Sequence, residues 1–325
     1  MLGPVPAQPI AFAPLFMERV WGGRVLEQVY GKALPAGALI GESWEIVDRP
    51  EAQSVVVGGR YDGGTLHELW SGRRDEIFGA RATGSGERFP ILIKLLDARE
   101  ALSVQVHPPT HLADELGGEP KNELFFVAGA APGAHVYAGL RAGVTRESFA
   151  AALADGQDVS AMLHRLDVQC GDAIFIPSGR LHAVGGGCLI MEIQQNSDTT
   201  YRIFDFNRLG LDSRPRELHV RESIASIDWG DIEPSLDVIG AVAGDGPIVD
   251  NAYFAVTRYA LRGPAVLTAP GECAIVAVVD GPVTCGDLTF APGHFFLVPA
   301  ADGAQLPVAP VDGAPATVLV TELPG

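Results

Sequence analysis

The sequence of 325 residues predicts a mainly β protein of the sandwich or barrel type that carries a few helices. Three observations lead to this fold class. Short runs rich in Val, Ile and Phe recur along the chain, Gly, Pro and Asp bound them, and the composition holds 39 glycines and 24 prolines. Many short strands separated by turn residues are typical of antiparallel sheets that pack or close on themselves.

The apolar runs that we interpret as strands follow one another closely. Their residues are 54–57, 91–96, 102–106, 124–127, 173–176, 189–193, 274–279, 295–298 and 317–320. Three segments predict helices instead, and their residues are 65–78, 146–166 and 217–227. Thr65 with Glu68 three positions later is a capping-box signature, which favours a helix start. Gly156 interrupts the second segment, which we interpret as one or two helices.

A segment rich in Asp, Gly and Pro, residues 228–246, separates two sets of predicted strands. Such a composition is typical of a domain boundary. We therefore expect a larger domain over residues 1–230 and a smaller β domain over residues 231–325.

The formal net charge of −17 argues against nucleic acid and anionic membranes as partners, because both would be repelled. It does not exclude an anionic metabolite. Exposed charges are screened beyond about 8 Å at cellular salt, so a local cationic pocket can override the overall sign.

Location is also constrained by composition. No apolar run approaches the roughly 18 residues that a membrane helix needs, and residues 1–10 lack a secretory signal. The four cysteines are widely spaced, which is typical of buried, reduced thiols in the cytosol. We expect a cytoplasmic protein that is a monomer or a small homo-oligomer.

A strand and a turn deliver a histidine near the middle of the chain. Gly171, Pro177, Gly179 and His182 follow the pattern G-x5-P-x-G-x2-H. The first glycine opens a strand, the proline ends it, and the second glycine allows a tight turn. The pattern resembles the second signature of the cupin superfamily. This resemblance implies a cupin double-stranded β-helix, or jelly-roll barrel, with His182 as a metal ligand in its mouth.

The beginning of the same pattern, G-x5-P, recurs at residues 293–299, without the glycine and histidine that complete the first copy. We therefore interpret the C-terminal domain as a degenerate, cupin-like β domain without a metal site.

Two further segments carry polar residues on one strand face. Alternation places Ser103, Gln105 and His107 together on one strand, and Lys121 and Glu123 together on another. Polar residues on one face of an otherwise apolar strand indicate a polar pocket.

Two histidines and a carboxylate are a common ligand set for Zn²⁺ or Fe(II), so His107, His182 and Glu123 form a candidate metal site. Gln105 would add a neutral oxygen and leave bound Zn²⁺ a net positive charge, as a Lewis acid requires. The alternative for Glu123 is a solvated carboxylate on an edge strand.

An acidic residue within an apolar strand, Glu192, costs free energy unless it is paired or functional. A raised pKa would make it a general base, and the alternative is a paired structural carboxylate. Arg202 and Arg208 follow in a segment dense in polar and aromatic residues, which favours anion binding.

These segments, in this order, resemble the type I mannose-6-phosphate isomerases (phosphomannose isomerases), as do residues 20–23 and 41–45. The likeness spans about residues 10–220. It implies a zinc-dependent aldose-ketose isomerase that interconverts mannose 6-phosphate and fructose 6-phosphate by enediol proton transfer, with one Zn²⁺ per chain.

The resemblance also implies a role for each candidate residue. The zinc ion is bound by Gln105, His107, Glu123 and His182. The catalytic residues are Arg202, Glu192 and Lys121. The phosphate of the sugar phosphate is bound by Ser103, Lys94 and Arg208.

Two other functions fit parts of the pattern. Two histidines and a glutamate are also typical of Fe(II)-dependent oxygenases, and a non-catalytic sugar-phosphate-binding cupin could keep the pocket. An oxygenase would give no role to Gln105 or to the basic residues Lys94, Arg202 and Arg208. The intact set of metal ligands together with Glu192 favours an enzyme over a binding protein. The preferred sugar phosphate and the base that removes the carbon-bound proton stay open.

Overall fold

The structure is a computed structural model that describes residues 8–82, 85–240, 244–300 and 305–324. It confirms the predicted fold class, because the fold is mainly β and of the cupin type, with 40% strand and 17% helix. The pattern that begins at residues 293–299 would be completed by a glycine and a histidine within residues 301–304. These four residues lie outside the described residues.

The strands are short and numerous. In chain order they are β1 (Ile10–Ala13), β2 (Leu15–Gly23), β3 (Ile40–Ile46), β4 (Asp48–Arg49), β5 (Ala52–Gln53), β6 (Val55–Val56), β7 (Ile91–Ala98), β8 (Val104–Val106), β9 (Glu123–Ala130), β10 (His135–Leu140), β11 (Leu163–Asp167), β12 (Ala173–Ile176), β13 (His182–Val184), β14 (Cys188–Gln195), β15 (Tyr201–Phe204), β16 (Gly246–Asp250), β17 (Ala255–Leu261), β18 (Ala265–Val266), β19 (Ala274–Asp280), β20 (Val283–Cys285), β21 (Leu288–Phe290), β22 (Phe295–Val298), β23 (Pro307–Pro310) and β24 (Ala316–Glu322). Each apolar run predicted as a strand overlaps one of them.

Helices are fewer and short. They are α1 (Val25–Tyr30), α2 (Leu66–Gly72), α3 (Arg74–Phe78), α4 (Thr110–Ala113), α5 (Arg146–Ala154) and α6 (Val220–Ser226). Single 3₁₀ turns lie at Gly59–Tyr61, Ala80–Ala82, Val159–Met162 and Val311–Gly313.

The predicted capping box at the start of α2 is confirmed. The Thr65 hydroxyl accepts a hydrogen bond from the Glu68 backbone N–H, and the Glu68 carboxylate accepts one from the Thr65 N–H. Each bond satisfies a backbone donor that the first helical turn leaves unpaired.

Two helix predictions need correction. In the segment 146–166 the helix ends at Ala154, and residues 163–167 form β11, whose alternating burial matches its antiparallel pairing with β10. In the segment 217–227 the helix begins only at Val220, because the backbone N–H of His219 instead donates to the carbonyl of Arg202.

The first of two compact units comprises Met1–Leu15, Trp44–Ile93 and Ala243–Gly325. It contains an antiparallel seven-stranded sheet in the order β16-β17-β24-β19-β22-β1-β6 and a four-stranded sheet in the order β18-β23-β20-β21. Apolar side chains of both sheets form its core, in which the rings of Phe290 and Phe296 stack with centroids 3.9 Å apart.

The second unit comprises Phe16–Ser43 and Lys94–Val242. It contains a five-stranded antiparallel sheet in the order β11-β10-β13-β8-β15 and most of a six-stranded sheet in the order β12-β9-β14-β7-β3-β2. One apolar core joins the two sheets, and a second one packs α5 against the five-stranded sheet through Phe149.

The division into domains 1–230 and 231–325 stays a prediction. In the structure Ile10 pairs with Leu297, so that β1 and β6 lie in the same sheet as strands from the C-terminal part of the chain. Each compact unit is therefore assembled from separate chain segments.

All four cysteines are free thiols, as predicted. Cys188, Cys273 and Cys285 are buried, whereas Cys170 is exposed because it lies in the turn between β11 and β12. The expectation that all four are buried is wrong for Cys170. Within the four described ranges, no helix combines the length and the apolar character that crossing a membrane requires.

Candidate active site

The predicted metal ligands come from three strand ends of the second unit. Gln105 lies in β8 and pairs with His182 at the start of β13, while His107 follows β8 directly. Glu123 begins β9. The turn before β13 requires glycine, because Gly179 adopts φ 96°, and its N–H donates to the carbonyl of His107. This bond ties the turn that carries one histidine to the other.

Backbone carbonyls fix the tautomer of both histidines. His107 Nδ1 lies 2.8 Å from the carbonyl of Thr199, and His182 Nδ1 lies 2.9 Å from the carbonyl of Arg180. A carbonyl only accepts, so each Nδ1–H donates and each Nε2 of a neutral ring presents a lone pair. Burial, followed by the charge of Lys121, lowers the pKa of His107 to about 4, which keeps this ring neutral at pH 7.

Both lone pairs are directed at one carboxylate. His107 Nε2 and His182 Nε2 lie 3.3 Å and 3.1 Å from Glu123 Oε1, and all three side chains are fully buried. Lone pairs facing a buried carboxylate oxygen repel it unless a cation lies among them. One ligand atom from each of the three residues falls within 4.8 Å of the others. Neutral imidazoles with a carboxylate are the donor set that Zn²⁺ prefers, so these residues fit a zinc ion.

Gln105 adjoins this group with its amide nitrogen. Its Nε2 is 3.2 Å from His182 Nε2, while its Oε1 accepts a hydrogen bond from Ser103 Oγ at 3.2 Å. For Gln105 to act as the predicted oxygen ligand, its amide must turn by half a rotation about its last bond.

Glu123 is completely buried in the sheet between β12 and β14. This burial excludes the alternative of a solvated edge-strand carboxylate. Although burial alone would raise the pKa of Glu123, the positive charge of Lys121 lowers it well below its usual value. Lys121 Nζ lies 2.6 Å from Glu123 Oε2. Burial disfavours its ammonium, but Glu123 and Glu192 outweigh this effect and raise the pKa of Lys121.

Glu192 lies in β14 between two buried lysines. Its Oε1 is 3.6 Å from Lys121 Nζ, and its Oε2 is 3.5 Å from Lys94 Nζ. Burial raises the pKa of Glu192 to about 7, because the two lysines offset the desolvation of its carboxylate only in part. Both contacts are longer than direct charge-assisted hydrogen bonds, so the structure does not show the tight pairing typical of a purely structural carboxylate.

Lys94 is surrounded by acidic side chains. Besides Glu192, its Nζ is 3.4 Å from Asp198 Oδ1 and 4.0 Å from Glu42 Oε2. Arg19 in turn binds both carboxylate oxygens of Glu42. Lys94 therefore lies in a dense alternation of positive and negative charges, of which Lys94 and Glu192 are buried and Asp198 is exposed.

A cavity of about 530 Å³ opens beside these residues. Of the predicted site residues, it is lined by Lys94, Ser103, Gln105, Lys121, Glu192 and Arg202. The size is within the range of small-molecule pockets and accommodates a hexose phosphate.

One end of the cavity is rich in arginine. Arg202 donates from Nε to Ser103 Oγ at 3.3 Å and from Nη1 to the carbonyl of Glu217 at 3.0 Å. Arg208 does not line the cavity; it donates from Nε and Nη2 to Asp205 and from Nη1 to the carbonyl of Ala101.

Sequence reasoning missed seven titratable residues that line the cavity. They are Glu18, Arg19, Glu42, Asp198, Asp212, Arg216 and His219. Glu42 and Asp198 lie inside segments that carried the family resemblance, which was a usable signal. Arg216 lies in an irregular segment between β15 and α6, where periodicity gives no guide.

A family model described as "Phosphomannose isomerase type I, catalytic domain" matches residues 11–124. "Mannose-6-phosphate isomerase ManA" of Bacillus subtilis (strain 168) is 37% identical over 279 residues, which are 84% of this chain and 86% of the relative. "Mannose-6-phosphate isomerase" of Streptococcus mutans serotype c is 35% identical over 285 residues, which are 86% and 88% of the two chains.

Solved structures of mannose 6-phosphate isomerases are also similar to this chain. The crystal structure of the mannose 6-phosphate isomerase from Bacillus subtilis superposes with a TM-score of 0.79 and 29% identity, and covers 97% of this chain and 100% of that chain. A zinc-bound mannose 6-phosphate isomerase superposes with a TM-score of 0.72 and 16% identity, covers 98% and 100%, and supports the fold alone.

Proposed function

This chain belongs to the type I mannose-6-phosphate isomerase family, and from that premise we propose that its His–Glu–His group, Glu192 and the basic residues of one cavity catalyse the reaction. The enzyme is zinc-dependent and interconverts mannose 6-phosphate and fructose 6-phosphate. The observation that carries the assignment of residues is the pair of imidazole Nε2 atoms facing the buried carboxylate of Glu123.

The metal is held by His107, His182 and Glu123, with Gln105 as a fourth ligand once its amide has rotated. When bound, zinc supplies a Lewis acid that stabilises negative charge on the sugar oxygens. The carbonyls of Thr199 and Arg180 keep both imidazoles in the tautomer that leaves Nε2 available. Strand ends and hydrogen bonds to backbone carbonyls thus position this part of the site.

Glu192 is the base that removes the carbon-bound proton. It lines the cavity, and burial raises its pKa to about 7, where the carboxylate is basic enough to take a proton and about half of it is ionised at neutral pH. The same carboxyl group returns the proton to the neighbouring carbon, which completes the shift between C1 and C2.

Lys121 and Arg202 act on the oxygens of the substrate. Both line the cavity, and the pKa of Lys121 is raised by Glu123 and Glu192, so its ammonium stays charged and stabilises an oxyanion. Arg202 extends from β15 directly opposite Gln105, which places its guanidinium beside the metal-binding strand.

The predicted phosphate contacts of Ser103, Lys94 and Arg208 stay predictions. Ser103 is supported by its position in the cavity next to Arg202. A cytosolic location and a monomeric or small homo-oligomeric state also stay predictions from the sequence.

A coupled assay with mannose 6-phosphate tests the proposed function. Turnover should be lost on chelation and restored by added zinc, and zinc content should be one per chain. Absence of chelator-sensitive turnover would refute the isomerase. Iron in the metal analysis together with oxygen consumption would favour the Fe(II) oxygenase, and binding of the sugar phosphate without turnover would favour the non-catalytic cupin.

A further inference from the structure

The arginine-rich end of the cavity contains a buried carboxylate that the catalytic scheme does not use. Asp205 follows β15, is 6% exposed, and accepts hydrogen bonds from two arginines. Arg216 binds it through Nε and Nη2, one nitrogen to each carboxylate oxygen, in the fork geometry that orients a guanidinium most strongly. Arg208 binds one of the same oxygens.

Only one of these two arginines lines the cavity. Arg208 uses all its guanidinium nitrogens on Asp205 and the carbonyl of Ala101, and it does not line the cavity. Arg216 lines the cavity, and its bonds to Asp205 use Nε and Nη2. Of the guanidinium nitrogens of the pair, the bonds to Asp205 and Ala101 therefore leave only Nη1 of Arg216 for a ligand in the cavity.

The charge balance supports the same choice. Hydrogen bonds from Arg216 and Arg208 lower the pKa of Asp205 against the effect of burial, so this carboxylate stays ionised. It faces Arg208, Arg216 and the neighbouring Arg202, whose own pKa is lowered by burial and next by the charge of Arg216. Asp212, a second carboxylate, lines the cavity, so the three arginines still outnumber the two carboxylates. Crowded like charges of this kind favour a bound anion.

The surroundings of Lys94 disfavour an anion. Lys94 lies within 4.0 Å of carboxylate oxygens of Glu42, Glu192 and Asp198. A phosphate placed at its ammonium would be repelled by three carboxylates.

We propose that Arg216, together with Ser103, binds the phosphate of the substrate, and that Asp205 is the residue that positions Arg216 for this contact. This inference rests on the proposed function. It replaces Arg208 and Lys94 as direct phosphate contacts and assigns Arg208 to holding Asp205 in place.

The variant Arg216→Ala tests the proposal, and Arg214→Ala is its matched control. Arg214 belongs to the same segment, is exposed, and does not line the cavity. Loss of a hydrogen-bonded charge contact should raise KM for mannose 6-phosphate about 10- to 100-fold and leave kcat within about threefold. Arg216→Lys should bring KM part of the way back to the wild-type value. Lysine keeps the positive charge but lacks the guanidinium that binds both carboxylate oxygens of Asp205. Arg214→Ala should match the wild type in both parameters.

Asp205→Asn tests the positioning role. It should raise KM in the same direction as Arg216→Ala with kcat nearly unchanged, and the double variant should show little further increase, because both changes remove one contact. A drop in kcat with unchanged KM, or fully additive increases in KM, would overturn the role of Asp205.

A second measurement does not depend on turnover. Inorganic phosphate should raise the melting temperature of the wild type and of Arg214→Ala, and this rise should be much smaller in Arg216→Ala at equal zinc content. If the wild type lacks isomerase activity but shows this pattern, the anion site stands and the proposed function fails. If the enzyme is active and Arg208→Ala, not Arg216→Ala, abolishes the protection and raises KM, the proposal is overturned.

Discussion

Glu192 and Lys121 approach within 3.6 Å inside the cavity, and both side chains are buried next to the metal-binding group. Both side chains line the cavity, so a substrate held there can contact the carboxylate and the ammonium. The pair thus places a proton acceptor and a fixed positive charge at one point, which an enediol-forming reaction requires.

Replacing Glu192 by Gln should reduce kcat by about 100-fold or more, which is the usual contribution of a general base. The amide keeps the shape of the carboxyl group, so zinc content and melting temperature should stay close to those of the wild type. Steady-state kinetics with a metal determination on the same sample measures both. Near-normal turnover would remove Glu192 from this role and direct attention to Asp198.

Protonation of Glu192 should make the activity decline at acidic pH. Burial raises the pKa of Glu192 to about 7, and only its ionised form accepts a proton. Below about pH 7, each further unit of pH should therefore reduce the ionised fraction of Glu192, and with it kcat/KM, by up to about tenfold. Above this value kcat/KM should level off. A pH profile of kcat/KM at constant zinc measures this limb. A limb near the ordinary pKa of glutamate would contradict the assignment.

Removing zinc should also destabilise the fold of the second unit. A ligand present at a hundred times its Kd stabilises the native state by about 2.7 kcal/mol, if it binds the unfolded chain negligibly. Chelation should therefore lower the melting temperature, and His182→Ala should show the lower value with and without zinc. An unchanged melting temperature on chelation of the wild type would argue against a metal at this group.

Bound zinc should take the oxygen of the Gln105 amide as its ligand. In the structure the amide nitrogen lies 3.2 Å from His182 Nε2 and the amide oxygen accepts a hydrogen bond from Ser103. A crystal structure with zinc should show Oε1 in the metal site and the hydroxyl of Ser103 released from it. Gln105→Glu, which places an oxygen there in either orientation, should retain zinc, while Gln105→Ala should bind it more weakly.

The capping box of α2 gives a stability prediction that is separate from catalysis. Thr65→Ala removes the acceptor for the Glu68 N–H and should lower the free energy of unfolding by about 1 kcal/mol. Chemical denaturation measures this loss, and KM and kcat serve as controls that should not change. A Thr65→Ser variant keeps the acceptor and should retain most of the stability.

The metal group was predictable because its residues belong to strand patterns with fixed turns. Gly179 and His182 occupy set positions after a strand, and alternation grouped Gln105 with His107. The orientation of the Gln105 amide was not predictable, because it depends on a hydrogen bond to Ser103 that forms only in the folded sheet.

The cationic end was less predictable. Arg216 and Arg208 have the same residue type, and only the fold shows which of them lines the cavity. The segment between β15 and α6 contains Phe206, Asn207 and Ser213 with positive φ, so it has neither helical nor strand periodicity. The strand β11 was missed for a different reason, because its pairing with β10 overrides a weak helical pattern.

The pairing of Ile10 with Leu297 has a consequence for biosynthesis. Leu297 leaves the ribosome 287 residues after Ile10 (297 − 10), which takes roughly 15 to 60 s at 5–20 residues per second. During this interval β1 can pair with β6 but not with β22, while residues 16–43 and 94–242, which form the second unit, emerge in full. Nascent chains should therefore complete the second unit before β22 becomes available to β1.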